Sequence, residues 1–430
     1  MNAGKHILTL LLLLPYACSG PSGKEGPVGL LLSPAHAAPP PTGPVMDREK
    51  VQMGISRFID SCYRKQFING GVLVAYRGDV LFEQYGGFGH YRHGRDTIKP
   101  SSAFHVASVS KTITAMATLK LCEEGKLKLG DDLTTFFPAF PRKGITVRSL
   151  LNHRSGLPNY VHFMERLGWN KKRKVTNADI LDFLTRRHKE IAIARPDTRF
   201  NYSNTNYALL ALVIEKVTGK PFQRYISESI FLPLGMKDSY IFTRADSLRS
   251  LPSYFYSGRQ YAFDYLDLVY GDKNVYSTPR DLLKFDRALS THALLSGASL
   301  DSAYQPYSFE RPGQNNYGLG WRMYLLKNGK KIIYHNGWWH GNRASFMRLL
   351  DEEVAIIAVC NNDSKQVYSV RKMADLFGNY FNGDPSGAEE ENSSVRQEPR
   401  KFPHRNNTAH RPRRKSGAPV AYGHARNSRK

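Results

Sequence analysis

Apolar positions near the start of the chain follow first a helical and then a strand pattern. Behind Asp47, a residue type that caps helix starts, apolar residues recur every three or four positions through Cys62. The stretch GGVLVAYRGDVLFEQYGG then holds two apolar runs around a turn at Arg77, Gly78 and Asp79. The pattern predicts a helix followed by a two-stranded hairpin.

The far end of the chain shows the same elements in reverse order. GKKIIYHNG, ASFMRLL and EVAIIAVCNN predict three strands with short loops, and KQVYSVRKMADLFGNYF predicts a final amphipathic helix. The middle, from about Ser108 to Ser290, is mostly helix and loop. This order predicts an α+β fold, with an antiparallel sheet built from both termini, covered by the terminal helices, and an inserted helical region. We expect a site at the seam between sheet and helical region.

The N-terminus has the pattern of an export signal. Lys5 and His6 precede the apolar run Ile7 to Leu14, which is too short for a stable membrane anchor. Two processing sites are compatible with the sequence: a lipid-bearing Cys18, as in a bacterial lipoprotein, and ordinary cleavage at the A-x-A pattern that ends at Ala37. We expect an exported protein, either periplasmic, secreted or anchored through a lipid.

Composition divides the chain into four parts. Residues 1–18 form the predicted export signal, and residues 19–45 form a linker rich in Pro, Gly and Ala. Residues 46–382 carry the apolar patterns of the folded part, which by its length is one large domain or two intertwined ones. Residues 383–430 are polar and low in apolar side chains, which predicts a disordered basic tail.

The formal net charge of +24 raises the question of an acidic partner. The tail holds eleven Lys and Arg residues against five acids, and the remaining excess is spread over the domain. No dense basic run with interleaved aromatic residues accompanies the charge, so a nucleic-acid partner is not favoured. An acidic envelope polymer bound by the basic surface and tail remains an alternative.

Cysteine and histidine usage predicts neither a disulfide framework nor a metal site. Cys62, Cys122 and Cys360 are widely spaced in apolar settings, so we expect small buried hydrophobic residues, with a Cys62 to Cys360 bridge as the less favoured alternative. None of the fourteen histidines lies in an H-E-x-x-H pattern. We therefore expect no metal and no cofactor.

Candidate chemistry begins at FHVASVSKTITAM, where Ser108 and Lys111 lie one helical turn apart. A serine hydroxyl needs a neighbouring base before it can attack a carbonyl, and a helix start aims free N–H groups at the reacting atoms. The S-x-x-K pattern alone is weak, because Ser369 and Lys372 repeat it at what the pattern predicts to be a solvated position.

Two further motifs strengthen this interpretation. RFNYSNTNYALL places Tyr202, Ser203 and Asn204 before an apolar helix, and YHNGWWHGNR places His335 to Gly337 on a strand. With SVSK, these motifs resemble those of the serine β-lactamase and penicillin-binding protein superfamily, in the branch of class C β-lactamases, DD-carboxypeptidases and related esterases. GKLKLGDDL, LLNHRSGLPNY, IFLPLGMKDS, YSTPRDLLKF and YGLGW extend the resemblance. It implies a β-lactamase/transpeptidase-like α/β/α sandwich with an inserted helical region.

The resemblance also implies catalytic roles. Ser108 would be the nucleophile that forms an acyl-enzyme. Lys111 would take its proton or hold the base ready, and Tyr202 is the alternative base and the proton donor to the leaving group. The sequence leaves the choice between these two bases open. The backbone N–H groups of Ser108 and Trp338 would form the oxyanion hole.

Substrate binding is implied for four further residues. Asn204 would contact Lys111 and the substrate amide, His335 and Asn336 would line the substrate side of the strand, and Gly337 would admit substrate close to the backbone. His335 stands where many relatives carry lysine, so a contact to a substrate carboxylate would be weak and pH-dependent. The tryptophans at 338 and 339 add bulk, and we assign neither ring to a substrate.

Two motifs that look catalytic are assigned to structure. In YSTPRDLLKF, Thr278 is predicted to cap a helix, with Pro279 in its first turn and Asp281 completing a capping box. His153 in NHRSGL is predicted to be a structural histidine, because no G-x-S-x-G signature accompanies it.

Together the residues predict an exported serine hydrolase that acts on a small amide or ester substrate. A D-amino-acid peptide or peptidoglycan-like stem is the favoured substrate, and small esters are next. A β-lactamase proper and a penicillin-binding protein without turnover are the alternatives.

Overall fold

The computed structural model describes residues 46–90, 94–310 and 312–381. The predicted export signal, linker and basic tail lie outside these residues, so the domain boundaries stay predictions. Within the described residues the chain forms these strands: β1 Gly70–Tyr76, β2 Asp79–Gly86, β3 Phe88–His90, β4 Arg95–Thr97, β5 Phe104–His105, β6 Tyr240–Ile241, β7 Val275–Ser277, β8 Asn315–Tyr317, β9 Arg322–Leu325, β10 Lys331–Trp339, β11 Asn342–Leu349 and β12 Val354–Cys360.

Ten α-helices and a few tighter or wider turns are described. The α-helices are α1 Arg48–Arg64, α2 Ser110–Glu123, α3 Leu133–Phe136, α4 Val147–Leu151, α5 Tyr160–Arg166, α6 Asn177–Arg186, α7 Asn204–Thr218, α8 Phe222–Ile226, α9 Pro279–Ser290 and α10 Gly297–Ala303. The 3-10 helices are Ala107–Val109, Arg244–Leu248 and Lys365–Leu376, and Ser227–Phe231 is a π-helical turn. No helix among the described residues is both long and apolar enough to span a bilayer.

The main sheet has seven strands in the order β2-β1-β12-β11-β10-β9-β8, and every neighbouring pair is antiparallel. The N-terminal hairpin joins the C-terminal strands through β1 and β12, whose register pairs Gly70 with Cys360. The predicted α+β fold, with a sheet built from both termini, is therefore confirmed.

The two faces of the sheet pack against different layers. Strand β1 points Val72 and Val74 to one face and Leu73 and Ala75 to the other, as the two-residue period of a strand requires. The first pair packs with the apolar side of α1 and with the helix Lys365–Leu376. The second pair packs with the core of the helical region. Burial on both faces explains why β1 and β12 are apolar throughout.

Both terminal helices were predicted, but the second has a different geometry. Helix α1 begins behind Asp47, whose carboxylate accepts a hydrogen bond from Lys50 N at 3.1 Å, so this cap is confirmed. The C-terminal segment was predicted as an amphipathic helix, and it forms a helix of the 3-10 type. Its buried residues are Val367, Val370, Met373 and Ala374, and the first three recur every three positions, which matches three residues per turn.

The three cysteines and the start of α9 follow the sequence predictions in part. Cys62, Cys122 and Cys360 are unpaired, so the less favoured bridge is absent among the described residues. Thr278 caps α9 by accepting from Asp281 N at 3.1 Å. The carboxylate of Asp281 does not complete the predicted box, because it accepts from Asp238 N at 2.8 Å and from Lys284 at 2.7 Å.

Candidate active site

Ser108 lies in a short 3-10 helix between β5 and α2, at the seam between sheet and helical region. The preceding residue, Ala107, has a φ of 48°, a left-handed conformation that non-glycine residues rarely adopt. The turn is fixed by His105, whose Nδ1 accepts from Ala107 N at 3.1 Å. Ser108 is half-buried, so its side chain is accessible to a ligand. The backbone beside it is fixed by the hydrogen bond between Ala107 and His105.

Lys111 is fully buried and makes three polar contacts. Its Nζ lies 3.0 Å from Ser108 Oγ, 2.8 Å from Asn204 Oδ1 and 2.7 Å from the carbonyl oxygen of Asp272. The last acceptor is brought close by Gly271, where a Cβ would lie 2.4 Å from the backbone of Tyr207. Motifs that are far apart in sequence thus meet at one nitrogen atom.

The YSN motif forms the start of α7. Ser203 is the residue before the helix, and its backbone N–H donates to His153 Nδ1 at 3.2 Å. The His153 ring lies 4.3 Å from the Tyr202 ring. Burial, and then the charge of Lys111, holds the pKa of His153 well below its ordinary value. A neutral, buried ring that supports the YSN turn agrees with its predicted structural role.

Strand β10 passes directly beside the nucleophile. A Cβ on Gly337 would lie 2.1 Å from the carbonyl oxygen of Val106, two residues before Ser108, so only glycine fits at this approach. Trp338 follows with a side chain that is 47% exposed and stacks on Arg343 at 4.5 Å. Asn336 is half-buried.

His335 is fully buried. Its Nε2 lies 3.1 Å from the Tyr317 hydroxyl, and its Nδ1 lies 2.8 Å from the carbonyl oxygen of Asn336. Burial, followed by the charges of Arg322 and Lys111, holds its pKa well below the ordinary value, so the ring is neutral near pH 7. The predicted contact between His335 and a substrate carboxylate stays a prediction, and a neutral ring would bring no charge to it.

A cation that was not predicted from the sequence lies beside the YSN motif. The half-buried guanidinium of Arg322 lies 4.9 Å from the centre of the Tyr202 ring, and Lys111 Nζ lies 5.1 Å from the same ring. Arg322 directly follows the YGLGW phrase, in which Gly320 packs where a Cβ would lie 2.3 Å from Ala115 of α2. The YGLGW phrase marked this part of the chain as related to the superfamily. The charge of Arg322 did not by itself indicate that its side chain lies at the site.

A second missed group is a buried ionic cluster behind Lys111. Asp272 accepts from the Tyr160 hydroxyl at 2.9 Å and lies 3.4 Å from Lys273 Nζ, and all three side chains are buried. Lys273 also donates to the Tyr160 hydroxyl. Burial lowers the pKa of Lys273 from its ordinary value, although the charge of Asp272 opposes the shift.

One trio of described side chains has ligand atoms close enough to hold a metal ion, namely Asp264, Asp267 and His340, with all three atoms within 4.8 Å of one another. His340 Nε2 already lies 2.9 Å from Asp267 Oδ1, so this pair is hydrogen bonded to itself. The expectation of a metal-free and cofactor-free protein stays a prediction.

Comparison with known proteins places these motifs in context. The beta-lactamase family model matches residues 53–378. The chain is 32% identical over 354 residues to penicillin-binding protein 4* of Bacillus subtilis (strain 168), covering 77% of each protein. The matches to putative penicillin-binding protein PbpX of Bacillus subtilis (strain 168), at 29% identity, and to protein flp of Staphylococcus aureus (strain N315), at 26% identity, span 63% and 64% of those proteins.

Solved structures share the fold. A penicillin-binding protein from Bacillus halodurans superposes with a TM-score of 0.65 at 25% identity, over 75% of this chain and 98% of that chain. A D-amino acid amidase from Ochrobactrum anthropi SV3 superposes with a TM-score of 0.61 at 23% identity, over 77% of this chain and 97% of that chain. The second likeness concerns the fold alone.

Proposed function

The chain belongs to the beta-lactamase family and is a serine hydrolase, and from this premise we propose that Ser108 forms its acyl-enzyme. The proposal rests on the 3.0 Å contact between Ser108 Oγ and Nζ of a fully buried lysine. A serine hydroxyl attacks a carbonyl when an adjacent base takes its proton. Lys111 is such a base within hydrogen-bond reach.

The contacts of Lys111 accommodate a neutral amine, which has two N–H groups and one lone pair, as well as an ammonium group. Asn204 Oδ1 and the Asp272 carbonyl oxygen are two fixed acceptors at 2.8 and 2.7 Å, so they take the two N–H groups. The lone pair is then left for the hydroxyl proton of Ser108. We therefore assign the base to Lys111 and the orientation of that base to Asn204.

Tyr202 is proposed to pass the proton to the leaving group and to activate the water that hydrolyses the acyl-enzyme. Its ring centre lies 5.1 Å from Lys111 Nζ, 4.9 Å from the Arg322 guanidinium and 4.3 Å from the His153 ring, which supports a position next to the proposed base. A phenol held there can exchange a proton with Lys111 directly or through one water molecule.

The oxyanion hole is proposed to consist of the backbone N–H groups of Ser108 and Trp338. The close approach of Gly337 to Val106 brings β10 against the turn that carries Ser108, as two donors to one oxygen require. Each such donor contributes about 3 kcal/mol to stabilisation of the transition state. Asn204 and Asn336 would contact the substrate amide beside it.

The proposed substrate is a D-amino-acid peptide or a peptidoglycan-like stem, with small esters as the next class. The named relative at 32% identity is a penicillin-binding protein, which supports a peptide of this kind. Arg322 supports an acidic group on the substrate, because its half-buried guanidinium lies in the same cluster as Tyr202 and the neutral His335. We propose that Arg322 supplies the positive contact that His335 does not.

An intact-mass time course with a penicillin and with a D-alanyl-D-alanine peptide tests the proposal. We expect a mass gain that Ser108→Ala abolishes and that Ser369→Ala leaves unchanged, since Ser369 begins the second S-x-x-K pattern on the outer helix. A gain that persists indicates a slow-deacylating peptidase, and rapid loss indicates a β-lactamase proper. Acylation that survives Ser108→Ala would refute the assigned nucleophile.

We also propose that the protein is exported from the cytoplasm. Export to the bacterial envelope rests on the pattern of residues 1–18, with Cys18 lipidation and cleavage near Ala37 as alternatives. Mass analysis of the protein purified from membrane and soluble fractions would distinguish a lipid-bearing N-terminus from a cleaved one. An acidic polymer is a partner only if binding weakens with salt and with deletion of residues 383–430.

A further inference from the structure

Two carboxylates and an imidazole meet at the turn that joins β10 to β11. One ligand atom from each of Asp264, Asp267 and His340 lies within 4.8 Å of the other two. Along the chain, 73 residues separate Asp267 from His340, so the sequence shows no ligand spacing for this pair. The group therefore becomes visible only in the fold.

The turn presents His340 to the two acids. Trp339 pairs with Asn342 across the hairpin. The first residue of the loop between them is His340, whose φ of 50° lies in the left-handed region where glycine, asparagine or aspartate is usual in such loops. Trp339 Nε1 donates to Asp267 Oδ1 at 2.7 Å, so the hairpin and the acid are joined beside the imidazole ring.

A fourth ligand atom, the amide oxygen of Asn342, is directed to the same place. Residues directly opposite each other in an antiparallel pair carry their side chains on one face of the sheet, so Asn342 projects to the side on which Trp339 reaches Asp267. Asn342 is 4% exposed, and its Oδ1 has no hydrogen-bond partner among the described residues. It lines the same cavity, of about 170 Å³, as Asp267 and His340. A buried oxygen in this state requires a donor or a cation.

The spacing of the ligand atoms fits a divalent metal ion with little movement. His340 Nε2 and Asp267 Oδ1 are 2.9 Å apart, close to the separation of about 3.0 Å between neighbouring ligands of an octahedral ion with bonds of about 2.1 Å. Ligands on opposite sides of such an ion are about 4.4 Å apart at most, so a separation of up to 4.8 Å closes with a shift of about 0.4 Å. Carboxylate and amide oxygens with one imidazole nitrogen suit an ion such as Zn²⁺ or Mn²⁺.

Hydrogen bonds already orient two of the ligands. Asp264 Oδ1 accepts from Leu266 N at 2.7 Å, so one oxygen fixes this carboxylate and the second can bind an ion. His340 Nε2 donates to Asp267 Oδ1 when the ring carries its proton on that nitrogen. Transfer of this proton to Nδ1, through water at the 18% exposed side chain, leaves the Nε2 lone pair for the ion with no net change in bound protons.

We propose that the two carboxylates, the His340 ring and the Asn342 amide oxygen bind one divalent transition-metal ion. The ion would neutralise two adjacent acids and satisfy the buried amide oxygen together. It would join the segment that leads to Asp272 with the turn that follows Trp338, so it would stabilise the wall of the candidate site without touching the reacting atoms. This inference goes beyond the proposed function and does not depend on an acyl-enzyme.

Binding of Zn²⁺ alone to the full-length protein tests the inference, by titration calorimetry and by thermal unfolding with and without EDTA. We expect wild type to bind one equivalent of Zn²⁺ that His340→Gly does not bind. Glycine suits the φ of 50°, so the turn should still form in this variant. Other imidazoles of the chain bind zinc equally in both proteins, so the difference between them isolates the site. At a hundredfold excess over Kd, the ion should raise Tm by about 4 °C, and EDTA should reverse the increase.

Three further variants locate the ion. Asp264→Asn should weaken Zn²⁺ binding about tenfold or more, because it removes one charged ligand. His90→Gln should keep the equivalent, since its exposed ring lies 2.7 Å from Asp96 as a histidine–carboxylate pair on the rim of the same cavity. Ser108→Ala should bind Zn²⁺ as wild type does, so metal binding and acylation can fail independently. Equal zinc binding and equal thermal shifts in wild type and His340→Gly, or loss of the equivalent in His90→Gln, would overturn the inference.

Discussion

Removing the carboxylate of Asp272 should destabilise the protein through the lysine beside it. Asp272 Oδ2 lies 3.4 Å from Lys273 Nζ, and both side chains are buried. At an effective dielectric constant of about 20, two unit charges at this distance attract each other by about 5 kcal/mol. Loss of one partner from a buried pair costs about 3 to 5 kcal/mol, because the other charge stays uncompensated.

Deprotonation of Lys273 sets an upper limit on the free energy lost in Asp272→Asn. Lys273 can release its proton in the folded protein, and at pH 7 this costs about 4.6 kcal/mol relative to the ordinary lysine pKa. Asp272→Asn should therefore lose about 3 to 5 kcal/mol of unfolding free energy at pH 7. Lys273→Met alone should also destabilise, since it leaves Asp272 as a buried anion. The double variant, which removes both charges, should recover much of the loss.

Urea unfolding followed by tryptophan fluorescence at pH 7 and pH 9 measures all four proteins. The folded-state pKa of Lys273 is lowered, so between that pKa and the ordinary value the unfolded chain binds more protons and stability rises with pH. The increase of unfolding free energy with pH should be steeper in Asp272→Asn than in wild type, by up to about 1.4 kcal/mol per pH unit. It should be absent in the double variant, which has no lysine at this position. The four proteins form a double-mutant cycle for Asp272 and Lys273. A coupling energy below about 0.5 kcal/mol between these residues would refute the reasoning, because the effects of mutations at independent sites are additive within that margin.

Three shorter predictions concern the site. Gly337→Ala places a Cβ 2.1 Å from the Val106 carbonyl oxygen and should slow acylation by about 100-fold, as expected when a catalytic strand shifts by about 1 Å; a rate within threefold of wild type in an intact-mass burst would contradict it. The pKa of His105 is lowered to about 4, so its contribution to stability is lost as pH falls from about 6.5 to 4, at about 1.4 kcal/mol per pH unit. His105→Gln should flatten urea-unfolding stability across this range by one proton, and an unchanged slope would argue against burial as the cause. Arg322→Met should raise KM about tenfold for a peptide with a free carboxylate but not for its amide; equal effects on both would remove Arg322 from carboxylate binding.

The sheet could be predicted because its strands carry information locally. The apolar runs on both sides of Arg77 and Gly78 require a hairpin, and β1 and β2 form it. The C-terminal helix shows the limit of this reasoning. Spacings of three occur in both α and 3-10 helices, so Val367, Val370 and Met373 predict a buried face without fixing the number of residues per turn.

The only site residues that could be predicted are those that belong to a recognisable motif. Ser108, Lys111 and Asn204 were expected together, and the structure brings their side chains to one nitrogen atom. Asp272 lies outside every motif, and Arg322 directly follows the YGLGW phrase. Both were missed because charge in a sequence does not show what a side chain faces. Their positions depend on the close approaches at glycines beside them, which only the three-dimensional packing reveals.

The contacts of Lys111 bear on how the proposed mechanism would proceed without rearrangement of the site. As an ammonium group, the lysine has three N–H groups, and Ser108 Oγ, Asn204 Oδ1 and the Asp272 carbonyl oxygen accept all three. As an amine, it keeps the last two contacts and accepts the proton of Ser108. In the proposed mechanism the same three oxygens would serve both protonation states in a fully buried position, so proton transfer between Ser108 and Lys111 would require no reorientation of the protein. Under the proposed function Asp272 would act in catalysis through its backbone and in stability through its side chain, and the two roles are separable because Asp272→Asn leaves the carbonyl oxygen in place.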